Sequence, residues 1–149
     1  MNIALDMASI YKIIVNDDTL KSLMNIPTAE RSNYGILLDK YFLQTYVSDK
    51  FTNDGICRIL LRSGVQTETN NEYVKWNPII IEVFVPKSKD LQSGFQSKSL
   101  QITDRLYSLL NRQYVNSFKM IFVGCYELIS NTVNYRRMAI KFDYKQIYS

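Results

Sequence analysis

At 149 residues the chain has the length of one ordinary domain, and 46% hydrophobic residues are enough to bury a real core. With 21% charged residues the composition is globular, which argues against disorder. The net charge of +4 is scattered, with Arg136-Arg137 and Lys87/Lys89 its tightest groups, so no basic nucleic-acid tail is present.

The sequence contains no histidine. That removes the commonest general base, the commonest metal ligand and any Ser–His or Cys–His dyad. Five glycines form no phosphate-cradling pattern, and two cysteines, Cys57 and Cys125, stand far apart without CxxC spacing. Both cysteines sit in apolar runs and read as small buried hydrophobes in a reducing interior. No secretory signal and no run of about 18 apolar residues is visible. The expectation is a protein without catalytic residues, metal, cofactor, small-molecule substrate or membrane span. Eleven tyrosines and seven phenylalanines supply large side chains for a core, half-exposed strand faces or an interface.

In chain order, Ile3 to Val15 predicts a helix, with Leu5, Ala8, Ile10, Ile13 and Ile14 as its apolar stripe. Asp17-Asp18, the one adjacent acidic pair, reads as a cap for a short helix from Thr19 to Met24 rather than as a metal site. Residues 28–50 fit two readings. Leu37, Leu38, Tyr41, Phe42 and Tyr46 have helical spacing, while Tyr41 to Val47 has strand composition.

Ile56 to Arg62 predicts a strand with Cys57, Ile59 and Leu61 on one face and Arg58 and Arg62 on the other. After the polar segment Gly64 to Lys75, Asn77 to Pro86 is the strongest strand, and the two form a hairpin. A polar loop from Lys87 to Lys98 precedes the clearest helix, Ser99 to Arg112. Its cap is Ser97 or Ser99, and Leu100, Ile102, Leu106, Leu109 and Leu110 form its buried stripe. Phe118 to Leu128 and Arg136 to Tyr144 are the last two strands. In the latter, Met138, Ile140, Phe142 and Tyr144 alternate with Arg137, Ala139, Lys141 and Asp143, as in a sheet with one buried and one wet face. The fold class expected is therefore a single α+β domain over residues 1–149, an antiparallel sheet of about four strands with helices on one face.

This order resembles the tail-terminator and neck proteins of tailed bacteriophages. The resemblance rests on the opening helix ending in Ile13-Ile14-Val15-Asn16-Asp17-Asp18, and on the strand Ile79-Ile80-Ile81-Glu82-Val83-Phe84-Val85-Pro86. The crossing helix around Ile102 to Leu110 and the two final strands complete it. It implies a virion protein, made in the host cytoplasm, that caps the tail tube in a ring, typically of six subunits, and joins it to the head connector. Its partners would be further copies of itself, tail-tube and neck proteins, and DNA touched transiently in the channel. Candidate interface residues are Trp76 and Phe95, large apolar side chains beside polar loops, with the charged Lys87, Lys89, Arg136 and Arg137. Two alternatives stay open: a non-catalytic adaptor of the same fold class, and a nucleic-acid binder using Arg58, Arg62 and Arg137.

Overall fold

Helical spacing decides which residues of the first helix are buried. In the computed structural model, which describes residues 3–45, 54–63, 67–68, 74–91, 96–116, 118–129 and 134–147, α1 spans Ile3–Val15. Ile10, Ile14 and Val15 face the core. Leu5, expected in the same stripe, is exposed, because at 100° per residue it lies on the opposite side of the helix from Ile14. The next helix, α2 (Asp18–Leu23), is capped as expected: the Leu20 N–H donates to the Asp17 carboxylate at 2.9 Å. Arg105 reaches the same carboxylate from a distant helix at 2.6 Å.

Residues 28–43 combine both readings of that segment. A 3-10 turn (Thr28–Glu30), the short α3 (Tyr34–Ile36) and a π-helical turn (Leu37–Tyr41) lead directly into β1 (Phe42–Leu43). The remaining strands are β2 (Arg58–Ser63), β3 (Thr67–Glu68), β4 (Val74–Pro86), β5 (Tyr114–Val115), β6 (Phe118–Leu128) and β7 (Tyr135–Ile147). Helices α4 (Lys87–Asp90) and α5 (Lys98–Leu110) lie between β4 and β5.

The sheet is larger than expected and mixed. Six strands run in the order β1-β2-β4-β7-β6-β5 and curl into a half-barrel, while β3 pairs with one end of β4. β1 is parallel to β2, and the other pairs are antiparallel. The additional strands β1, β3 and β5 are two residues long, too short to carry a period-2 pattern.

The helices cover the face predicted to be buried. Cys57, Ile59 and Leu61 of β2 and its approach, Ile79, Ile81, Val83 and Val85 of β4, and Met138, Ile140, Phe142 and Tyr144 of β7 form one core with Ile102, Leu106 and Leu110 of α5. Leu100, expected in that stripe, is exposed, since it sits a third of a turn away from Leu106. Arg112 does not end the helix. It follows the C-cap Asn111 in a left-handed conformation (φ 62°), held by its N–H donating to Met120 O at 2.8 Å.

The opposite face is not wet. Leu43, Leu60, Phe84 and Tyr135 make a second apolar cluster there, and Arg58, Glu82 and Ala139 are buried beside it. The polar loop expected over 87–98 also contains structure, namely α4 and a bridge between Leu91 and Ser97. Asp90 of α4 supplies the cap of α5: its Oδ1 accepts the Ser99 N–H at 2.8 Å, and the Ser97 hydroxyl donates to the same oxygen. Cys57 is buried, but Cys125 is exposed on the edge strand β6.

Three aspartates hold this framework through charge. Hydrogen bonds from Arg105, then from the Leu20 N–H, outweigh burial and keep the Asp17 carboxyl below the usual carboxylate range. Burial alone would raise Asp54, but hydrogen bonds from Arg58, Tyr135 and the Ile56 N–H lower it. Asp90 follows the same pattern, with burial overcome by Ser99, Arg136 and Ser97. A depressed folded-state pKa contributes stability that is present above the unfolded value, near 3.9, and is lost as pH falls through the folded value. Urea unfolding should therefore show stability falling steeply below about pH 4, and Asp17→Ala should cost about 1 kcal/mol at neutral pH through the lost cap.

Candidate interaction surface

β2, β4 and β7 bring a carboxylate and two guanidiniums together on the second face. Glu82 stands opposite Leu60 and Ala139 in the ladder, and its side chain is 0% exposed. Its Oε1 accepts from Arg62 at 3.1 Å and from Arg137 at 2.6 Å. The Arg137 guanidinium also lies 5.5 Å from the Phe84 ring centroid, so its stem and head cover apolar surface. Arg58 is buried separately, paired with Asp54 and donating to Lys40 O at 3.0 Å. The three arginines of the nucleic-acid reading are thus engaged within the protein and do not form an open basic stripe.

Next to this group, at the end of the sheet where β4 finishes and β7 begins, is an open cleft of about 380 Å³. It is lined by Lys87, Glu127, Leu128, Ile129, Tyr135, Arg136 and Arg137. Backbone geometry builds it: the Lys87 N–H donates to Asn134 O at 2.6 Å, joining the end of β4 to the start of β7. Arg136 bridges Asp90 at 3.0 Å and Glu127 at 3.3 Å. Burial opposes the Arg136 charge, but these two carboxylates outweigh it and raise its pKa. With Arg136 and Arg137 both paired, Lys87 is the cleft's cation without an ion-pair partner among the described residues. Beside it Ile129 is 89% exposed.

Three of the six sequence-predicted residues, Lys87, Arg136 and Arg137, therefore meet in one place. Lys89 does not join them; its ammonium donates to Gly55 O at 2.8 Å. Trp76 lies in β4 opposite Lys145 and Thr67, roughly 30 Å along the strand from Pro86. Phe95 falls outside the described residues.

Sequence reading found the strand β6 with its observed bounds but not the exposed apolar edge that it presents. Its outer edge is occupied at Phe118 and Lys119 by β5, at Met120 by Arg112 and Gln113, and at Phe122 by the Asn111 side-chain oxygen. A bulge at Val123 shifts the register between Phe122 and Gly124. From there to Ile129 no strand pairs with that edge among the described residues. Val123, Tyr126 and Ile129 are exposed along it, an apolar composition that a lone edge strand normally avoids. Removing Glu82 leaves the largely buried Arg137 guanidinium without its carboxylate, so Glu82→Ala should cost about 3 kcal/mol in urea unfolding. Arg62→Ala removes a partner that is 42% exposed and should cost less than about 1 kcal/mol.

Among solved structures, the fold is similar to that of a protein in the virion of a native gene transfer agent particle. The TM-score is 0.58 at 9% identity, covering 95% of this chain and 93% of that one. A likeness at that identity is a likeness of fold. No curated protein matches the sequence. The YomW family model matches residues 17–145, from the capping aspartate of α2 to Lys145 in β7, and the chain belongs to the YomW family.

Proposed function

We propose that the chain is a structural protein of a phage-like virion, acting as a tail terminator or an adjacent neck component. In this reading it assembles into a ring, with six copies as the expected number, between the tail tube and the head connector. The observation that carries the reading is the end-to-end likeness of fold to a protein of a gene transfer agent virion. A match over nearly all of both chains equates whole domains, not a shared sheet motif. The exposed apolar run Val123–Ile129 and the adjoining cleft support it, since a virion subunit must present surfaces to neighbours.

The role assigned is mechanical. Subunits of a ring meet head to tail through two different patches, and closure of the rotation fixes their number. The neutralised arginines of the second face leave modest net charge for DNA passing through a channel, so any such contact is transient and sequence-independent.

The test is deletion of the gene from the element that encodes it, followed by electron microscopy and mass spectrometry of the particles. The expected result is tails of irregular length or heads lacking tails, with the chain present in wild-type particles at a few copies each. Normal joined particles without the chain contradict the reading.

A further inference from the structure

Beyond Val123 one side of β6 is paired with β7 and the other is open. Which backbone groups face outward follows from the ladder. Met120, opposite Tyr144, turns its carbonyl and its N–H away from β7, to the Arg112 N–H and Gln113 O. Phe122, opposite Phe142, likewise donates its N–H outward, to the Asn111 side-chain oxygen. Outward and inward positions alternate along an antiparallel pair, so the β6 residues opposite Ile140 and Met138 also face outward. The extra residue Val123 shifts the phase, and those residues are Cys125 and Glu127. Their N–H and C=O groups point away from β7 and meet no strand among the described residues.

The side chains along this edge favour pairing. From Val123 to Ile129 there is no Lys, Arg or Pro, the residues that keep an edge from accepting a strand. Val123, Tyr126 and Ile129 are exposed, and a Cβ added at Gly124 would meet nothing within 4 Å. A glycine there leaves room for an aromatic ring from an adjoining strand. The edge then runs into the cleft through Glu127, Leu128 and Ile129. Within the cleft Arg136 is answered by Asp90 and Glu127, and Arg137 shares Glu82 with Arg62. Residues 128–135, which join β6 to β7, include no Asp or Glu. The charge of Lys87 is thus left for an anion from outside. A free anion or a nucleic acid would use Lys87 alone, whereas an extended polypeptide meets the backbone edge, the apolar flank and the cation together.

We infer that β6 beyond the Val123 bulge accepts an extended acidic segment of a partner protein as an added strand. The segment runs antiparallel to β6, as β5 and β7 do. Its alternate large apolar residues lie over Gly124 and beside Tyr126, and a carboxylate at its N-terminal end reaches Lys87. β5 and the Asn111 side chain occupy the edge before the bulge, so the added strand is confined to the stretch that opens into the cleft. The inference goes beyond the ring reading and does not depend on it.

The test is titration of the full chain with the acetylated, amidated peptide Glu-Glu-Val-Thr-Val-Thr-Tyr, followed through backbone amide NMR signals. The expected result is binding that shifts the signals of Cys125 and Glu127 most. Lys87 is exposed, so its reversal leaves the core untouched. Lys87→Glu should weaken binding about fivefold, and a peptide with lysines in place of both glutamates should recover on that variant to within about twofold of the original pair. Cys125→Pro removes an outward N–H without touching the β6–β7 ladder, and should abolish binding while the signals of β4 and β7 stay in place. A peptide N-methylated at both valines makes the same test from the other side, without altering the fold. No binding of the acidic peptide at millimolar concentration overturns the inference. So does binding indifferent to the charge swap and to N-methylation, or binding that shifts signals away from β6 and the cleft. Deletion of the gene and inspection of the particles decide the ring reading separately.

Discussion

Thirteen residues of β4 pair with thirteen of β7 without a break in register, from Val74 opposite Ile147 to Pro86 opposite Tyr135. Every other element is placed by this ladder. β2 and β6 flank it on either side, and α5 crosses over both strands with α2 and α1 packed in turn against α5. A slip of one residue would turn Ile79, Ile81, Val83 and Val85 away from the helices and bring Glu82 into the apolar core. The register is therefore strongly specified, and with it the location of both ends of the sheet.

The second face shows how such a sheet can bury polar groups without losing specificity. Glu82 lies at the centre of the ladder and would be costly if unpaired, but Arg62 and Arg137 approach it from the strands on either side. Those three side chains come from β2, β4 and β7, so the arrangement forms only when all three strands are in register. At the end of the helix-covered face, Asp90 performs a similar service. It caps α5, pairs with Arg136 and so ties the helix layer to the last strand at the rim of the cleft.

Much of this was legible in the sequence where a period was long enough to be read. The alternation of Met138, Ile140, Phe142 and Tyr144 gave both the strand and its buried face, and Asp17 gave its cap. Two-residue strands leave no such trace, so β3, β5 and the mixed character of the sheet were invisible, and β1 showed only as one of two readings of residues 28–50. The buried second face was missed because Arg62, Glu82 and Arg137, read singly, look like solvent-facing residues; their pairing across strands is what allows Glu82 to leave water completely. The same holds for the cleft. Lys87 and Arg136-Arg137 were noticed for charge density, yet what unites them is the Lys87 N–H to Asn134 O link, a backbone contact between distant segments. Lys89, two positions along α4 from Lys87, points elsewhere because residues at that spacing do not share a helix face.

The account treats the β4–β7 ladder as a rigid spine whose cleft end and neighbouring β6 edge, and not its helix-covered face, are used in assembly. Hydrogen exchange compared between the isolated chain and the chain in intact particles tests this most directly. The prediction is slow exchange at the centre of β4 and β7 in both states, with new protection on assembly concentrated at the Val123–Ile129 edge and the cleft beside it. Protection gained instead across α1 and α5, with the Val123–Ile129 edge unchanged, would contradict it.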